Sequence, residues 1–155
     1  MTLEDLAAYG VEHMDDDAVR SFLTTQGTGV LGLPTDGAPA LLPLSFGYDG
    51  DETLYFTFVV GSGSEKRELS ERAEAASFLV YRADTPFTWQ SVRLTGRIEP
   101  VPDGERNTAR DALENAWRPD LFERAMAEVE VALYRFVVAD WSGIKQTGLP
   151  PGFEE

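Results

Sequence analysis

Val30-Leu31-Gly32-Leu33, a turn at Asp36-Gly37, Ala40 through Tyr48, a second turn at Asp49-Gly50, then Thr53 through Val60: the fold class turns on this run. Asp-Gly between apolar stretches is a hairpin signal. Residues 53–60 are rich in β-branched and aromatic types, which favour strands. The run therefore predicts three consecutive strands joined by short turns. Downstream, Gly61-Ser62-Gly63-Ser64 opens a helical segment, Glu65 to Ala73, and Ser77 to Tyr81 returns to strand. In the strand from about Phe87 to Ile98, Val92, Leu94 and Ile98 alternate with Arg93, Thr95 and Arg97, the period-2 mark of a half-buried antiparallel strand. Pro102-Asp103-Gly104 leads into a helical block of about 105–128, broken near Pro119, and a last strand runs from about Val129 to Trp141. Upstream, Asp15, Asp16 and Asp17 precede Val19, Phe22 and Leu23, an apolar set at helical spacing behind N-terminal capping acids. The order is helix, three strands, short helix, two strands, helical pair, strand. This predicts a mainly β protein: a six-stranded antiparallel barrel with flanking helices. Residues 1–155 read as a single domain, with a helical insertion at about 103–128 and a C-terminal tail at about 146–155.

The chain has 155 residues, of which 43% are hydrophobic, enough for one core without staples. No apolar run approaches the ~20 residues of a bilayer crossing, and the acidic start, Met1 to Asp5, does not resemble a signal peptide. A cytoplasmic location is expected. The absence of cysteine excludes disulfides, thiolate metal sites and cysteine nucleophiles. With 27 acids against 13 bases the net charge is −14, which repels phosphate backbones and anionic membranes, so neither nucleic acid nor membrane is an expected partner. Lys66 and Lys145 are the only lysines. Many acids with scarce lysine suggest a protein adapted to concentrated salt, where self-repulsion is screened.

Few residues invite chemistry. One histidine, His13, without cysteine cannot build a common zinc site, and no nucleophile elbow surrounds any serine. No metal is expected. The strongest local feature is Gly61-Ser62-Gly63-Ser64-Glu65-Lys66-Arg67. Small residues feeding a helix start leave backbone N–H groups free, and Ser64, Lys66 and Arg67 add donors and charge. Two readings stand: an anion site suited to a phosphate monoester, or a helix cap whose cations pair with Glu68 and Glu71. A second cluster is Leu42-Pro43-Leu44-Ser45-Phe46-Gly47-Tyr48. Proline implies an edge or bulged position, and a strand whose main chain faces a cavity can bind a planar heterocycle. The alternative is an ordinary core strand.

Together these pieces resemble the pyridoxamine 5′-phosphate oxidase-like family, the FMN-binding split barrels, over about Asp16 to Val101. The resemblance rests on motifs in order: Gly29-Val30-Leu31-Gly32-Leu33 with Asp36-Gly37-Ala38-Pro39, then Pro43-Leu44-Ser45-Phe46, Leu54-Tyr55-Phe56-Thr57, Ser64-Glu65-Lys66, Ala76-Ser77-Phe78, and Gln90 through Gly96. It implies a split barrel holding FMN at a homodimer interface. Main chain of Pro43, Leu44, Ser45 and Phe46 would line the flavin ring. Thr57 with Ser64 and Lys66 would hold the phosphate, helped by Arg67; Phe56 beside Thr57 is counted with the cofactor-binding residues; and Gln90 and Ser91 would approach the ring edge. Trp89 and Phe46 would supply apolar walls. Glu65 stands where the family carries an arginine, and Leu41 and Phe46 replace the basic residues of true pyridoxamine phosphate oxidases, whose C-terminal arginine–histidine signature is also missing. The broader nitroimidazole-reductase-like branch is the better match. The expected function is an FMN-dependent oxidoreductase acting on a small-molecule substrate. The alternatives are an F420-binding oxidoreductase of the same fold or a non-catalytic flavin carrier or sensor; haem handling is disfavoured because His13 is the sole histidine.

Overall fold

The structure is a computed structural model that describes residues 3–59, 75–114, 131–150 and 152–153. Its helices are α1 (Leu3–Ala7), α2 (Asp16–Thr25) and α3 (Arg106–Glu114). Its strands are β1 (Val11–Met14), β2 (Thr28–Leu33), β3 (Ala40–Ser45), β4 (Gly47–Tyr48), β5 (Thr53–Val59), β6 (Ala76–Thr85), β7 (Thr88–Pro100) and β8 (Val131–Thr147). All join one antiparallel sheet in the order β3-β2-β6-β7-β8-β5-β4, with β1 also on β8.

The two ends of that path, β3 and β4, are separated in the chain by one residue, Phe46. The sheet must therefore curl until its edges nearly meet. They do not pair, although β3 and β5 approach each other across the gap. The result is a split barrel, as expected, with Phe46 as the tie between its lips.

The described residues form eight strands, where the sequence reading gave six. Two local effects account for the difference. The expected strand from Ala40 to Tyr48 breaks at Phe46, whose N–H donates to Gly27 O at 3.0 Å. β3 then pairs β2, while β4 pairs β5 through the Asp49-Gly50 turn, so the predicted meander is interrupted. The other addition is β1, too short and too polar to announce itself. It forms because β8 runs on to Thr147, beyond the expected end near Trp141, and pairs with β1 from Met14↔Gly143 to Val11↔Gln146. His13 lies in this strand opposite Ile144. The expected helix over residues 65–73 and the continuation of the helical block beyond Glu114 lie outside the described residues.

Alternation fills the barrel. Leu31, Leu33, Leu54, Phe56, Phe78, Val80, Val92, Leu94 and Phe136 point inward and are buried. Phe78 sits at the centre, edge-on to Phe46 (5.5 Å between centroids) and to Phe136 (5.8 Å), a favoured aromatic geometry. Helix α2 begins where its acids predicted: Asp15 caps it by accepting from Ala18 N at 2.8 Å. Its Val19, Phe22 and Leu23 enter the core. Trp141 on β8 fixes its outer side, donating to Asp16 at 2.9 Å beneath the Arg20 guanidinium.

Helix α3 packs outside the barrel, where Ala109, Ala112 and Leu113 meet Tyr55, Val101 and Leu133. The approach is close enough that any side chain at Gly47 would strike the Ala112 carbonyl. An ion cluster pins the turn before this helix. Arg135 on β8 holds Glu99 of β7, with Nε donating at 2.6 Å, and reaches Glu105 at 2.5 Å.

Candidate functional site

The free edge of β3 is the unusual feature of this fold. One side of β3 pairs β2, from Thr28↔Ser45 to Leu33↔Ala40. The other side faces the split. Because Phe46 N–H bonds Gly27, alternation directs the main-chain groups of Leu44 and Leu42 to β2 and those of Leu41, Pro43 and Ser45 to the split. Pro43 therefore lacks an N–H on the side where no ladder needs one, which is how proline is tolerated in a strand. The main chain of Leu41 and Ser45 keeps donors and acceptors available on that side.

Where β3, β2 and β6 run side by side lies a cleft of about 490 Å³, walled by Thr28, Gly29 and Val30 of β2, Pro43, Leu44 and Ser45 of β3, and Tyr81, Arg82 and Ala83 of β6. Gly29 is required at its base: a Cβ there would lie 2.8 Å from Leu79 O and inside the Phe78 ring edge. Arg82 is the only charged residue in the wall, and Asp84 already holds it, 3.2 Å away.

The structure brings some of the expected residues together and separates others. Pro43, Leu44 and Ser45 line the cleft. Gln90 and Ser91 lie two strands from β2, with Ser91 opposite Tyr81 and Gln90 opposite Arg82, so Ser91 continues the cleft wall across the sheet. Phe46 and Phe56 are completely buried, and their rings belong to the core. Phe46 does not line the cleft; it follows Ser45, which does. Thr57 sits on β5 opposite Leu133, half-buried and across the split from β3. Trp89 is half-buried and donates its Nε1–H to Gln146, whose own amide donates to Tyr9 O at 2.9 Å. Ser64, Lys66 and Arg67 lie outside the described residues.

Sequence reasoning passed over Thr28 and Tyr81. Both are exposed and unremarkable in sequence, and only the register of β2 and β6 places them between Ser45 and Ser91. Among the described residues no group of three or more histidine, aspartate or glutamate side chains is arranged to hold a metal ion, and no helix is long and apolar enough to cross a membrane.

A family model described as pyridoxamine 5′-phosphate oxidase matches residues 15–145. The chain belongs to this family. Solved structures share the fold. A FAD-binding protein from Mesorhizobium loti is 23% identical with a TM-score of 0.72, covering 89% of this chain and 98% of its own. A putative 5-nitroimidazole antibiotic resistance protein from Bacteroides thetaiotaomicron is 20% identical, TM-score 0.65, covering 88% and 89%. A FAD-binding protein from Mycobacterium smegmatis is 15% identical, TM-score 0.67, covering 88% and 100%. No curated protein matches this member of the pyridoxamine 5′-phosphate oxidase family.

Proposed function

We propose that this protein binds a flavin, FMN, against the free edge of β3 and acts as an FMN-dependent oxidoreductase on a small molecule. The observation that carries the reading is a strand, β3, with one unpaired side, whose Pro43, Leu44 and Ser45 also wall a cleft of about 490 Å³. A planar heterocycle with alternating donors and acceptors complements a strand edge of the same kind, and the cleft's Val30, Pro43 and Ala83 offer it apolar contact. Family membership and the FAD-binding proteins of the same fold support a flavin over other heterocycles. Ser64, Lys66 and Arg67 are the residues proposed for the phosphate.

When bound, the flavin supplies a two-electron redox centre. The chain's part is to orient the ring through Leu41 and Ser45 main chain and to exclude water with Val30, Pro43 and Ala83. The protein is proposed to act as a homodimer in the cytoplasm. The outer sheet face beside the cleft supports dimerisation: Leu41 is 69% exposed, Tyr81 58% and Leu79 36%, an apolar patch of the kind that marks an interface.

The test is flavin binding. Purified protein, stripped and titrated in high salt, is expected to bind FMN. Lys66→Ala is expected to lose most of that affinity and Lys145→Ala to keep it. Equal retention in both variants rejects the phosphate assignment. Failure of the wild-type protein to bind FMN, FAD or riboflavin rejects the flavin, and preferential binding of F420 replaces it.

A further inference from the structure

Aspartate followed by glycine occurs three times, at Asp36-Gly37, Asp49-Gly50 and Asp103-Gly104. All are exposed, yet the fold treats the three carboxylates differently. Asp49 is tied down. Its Oδ1 accepts from the N–H of Asp51 at 2.8 Å and of Thr53 at 3.1 Å, which closes the turn between β4 and β5. Asp103 stands in a single 3₁₀ turn, Asp103–Glu105, where Glu105 N–H donates to Pro102 O at 2.9 Å. Its carboxylate lies 3.3 Å from Arg106 Nε. Asp36 has neither restraint. It sits in the loop of residues 34–39 between β2 and β3, outside any helix or strand. Its carboxylate has no hydrogen-bond or ion-pair partner among the described residues. Gly37 is open as well: its φ is not left-handed, and nothing stands within 4 Å of where a Cβ would be. Its N–H donates to the Thr35 hydroxyl at 3.1 Å, a single bond to a rotatable group.

We propose that Asp36 is a site of spontaneous covalent modification in the folded protein: an isoaspartate linkage forms at Asp36-Gly37 in preference to the other two pairs. The Gly37 nitrogen attacks Asp36 Cγ. A C–N bond forms, and the carboxyl hydroxyl leaves as water with the proton from that nitrogen, giving a cyclic succinimide. Water then adds to one of the two ring carbonyls. Addition at Cγ restores aspartate. Addition at the α-carbonyl breaks the original peptide C–N bond and leaves the chain running through Cγ. The water lost is regained, and nothing is oxidised or reduced. The attack needs a carboxyl free to swing over the next nitrogen and a neighbour with no side chain in the way. Asp49 must first break two hydrogen bonds, and the 3₁₀ turn at Asp103 fixes the backbone torsion that has to rotate. The product carries one extra main-chain carbon. None of residues 34–39 pairs in the sheet, which resumes at Leu33↔Ala40, so the longer loop breaks no rung and the folded protein accumulates it.

The test is ageing of the whole folded protein in molar potassium chloride at mildly acidic pH, where the leaving hydroxyl is protonated. Peptide mapping with electron-transfer fragmentation places each isoaspartate, and methyl labelling by an isoaspartyl carboxyl methyltransferase counts it. Isoaspartate at 36 is expected to exceed that at 49 by about tenfold or more, since two hydrogen bonds must break first at Asp49. It is expected to exceed that at 103 as well. The same chain aged in guanidinium chloride is expected to lose the ranking, with all three pairs reacting comparably. Gly37→Ala, which the backbone and the open space accept, is expected to keep the melting temperature and lose most of the label. Folded protein that forms no isoaspartate, or as much at 49 or 103 as at 36, overturns the assignment. A ranking that survives in guanidinium chloride overturns it too, because local sequence and not the fold would then set it. Wild-type labelling of Gly37→Ala places the reaction elsewhere and overturns it equally.

Discussion

At the residue scale the fold depends on a few side chains at crowded points. Phe78 touches Phe46, Phe56 and Phe136, one ring from each wall of the barrel. Phe78→Ala is expected to cost about 3–5 kcal/mol, read as a lower urea midpoint with an unchanged slope. Phe46 illustrates what one sequence can and cannot reveal. Its place in the Pro43–Phe46 motif was legible, and that motif does border the cleft. Its ring direction was not: alternation along β3 turns Ser45 outward and leaves Phe46 wholly buried. Thr28 and Tyr81 were invisible for a related reason. Neighbourhood across a sheet depends on register between strands some fifty residues apart, and no local spacing encodes it.

Elements show the same division. Capped α2 and the strand at Val92, Leu94 and Ile98 were readable because each carries its own period. β1 carries none. Val11, Glu12, His13 and Met14 become a strand only because β8 offers six more residues of edge than its apolar pattern advertises. The clamp between β7, β8 and the turn before α3 is likewise a tertiary fact. Partial burial alone would raise the Glu99 carboxyl, but the hydrogen bonds and charge of Arg135, helped by Arg97, outweigh it and hold Glu99 below its ordinary 4.5. A carboxyl lowered on folding stabilises the native state above its unfolded pKa, and that contribution fades as pH falls through the folded value. Glu99→Gln is therefore expected to flatten the acid limb of a stability–pH profile below about pH 4.5 and leave its neutral region nearly parallel to wild type. An unchanged acid limb would show that Arg135 holds other groups instead.

Across the whole molecule, the charge of −14 sets the conditions for every measurement. Self-repulsion acts over about 10 Å at 0.1 M salt and about 3 Å at 1 M. The thermal midpoint is thus expected to climb on going from dilute buffer to molar potassium chloride, and a fall would remove the case for adaptation to brine. The open lip of the barrel carries a different liability. An exposed strand edge can recruit the strands of other molecules and seed polymers. Here the residue at the middle of that lip is Pro43, which has nothing to donate to an incoming chain, so a ladder of neighbours begun at Leu41 or Ser45 is broken at its centre.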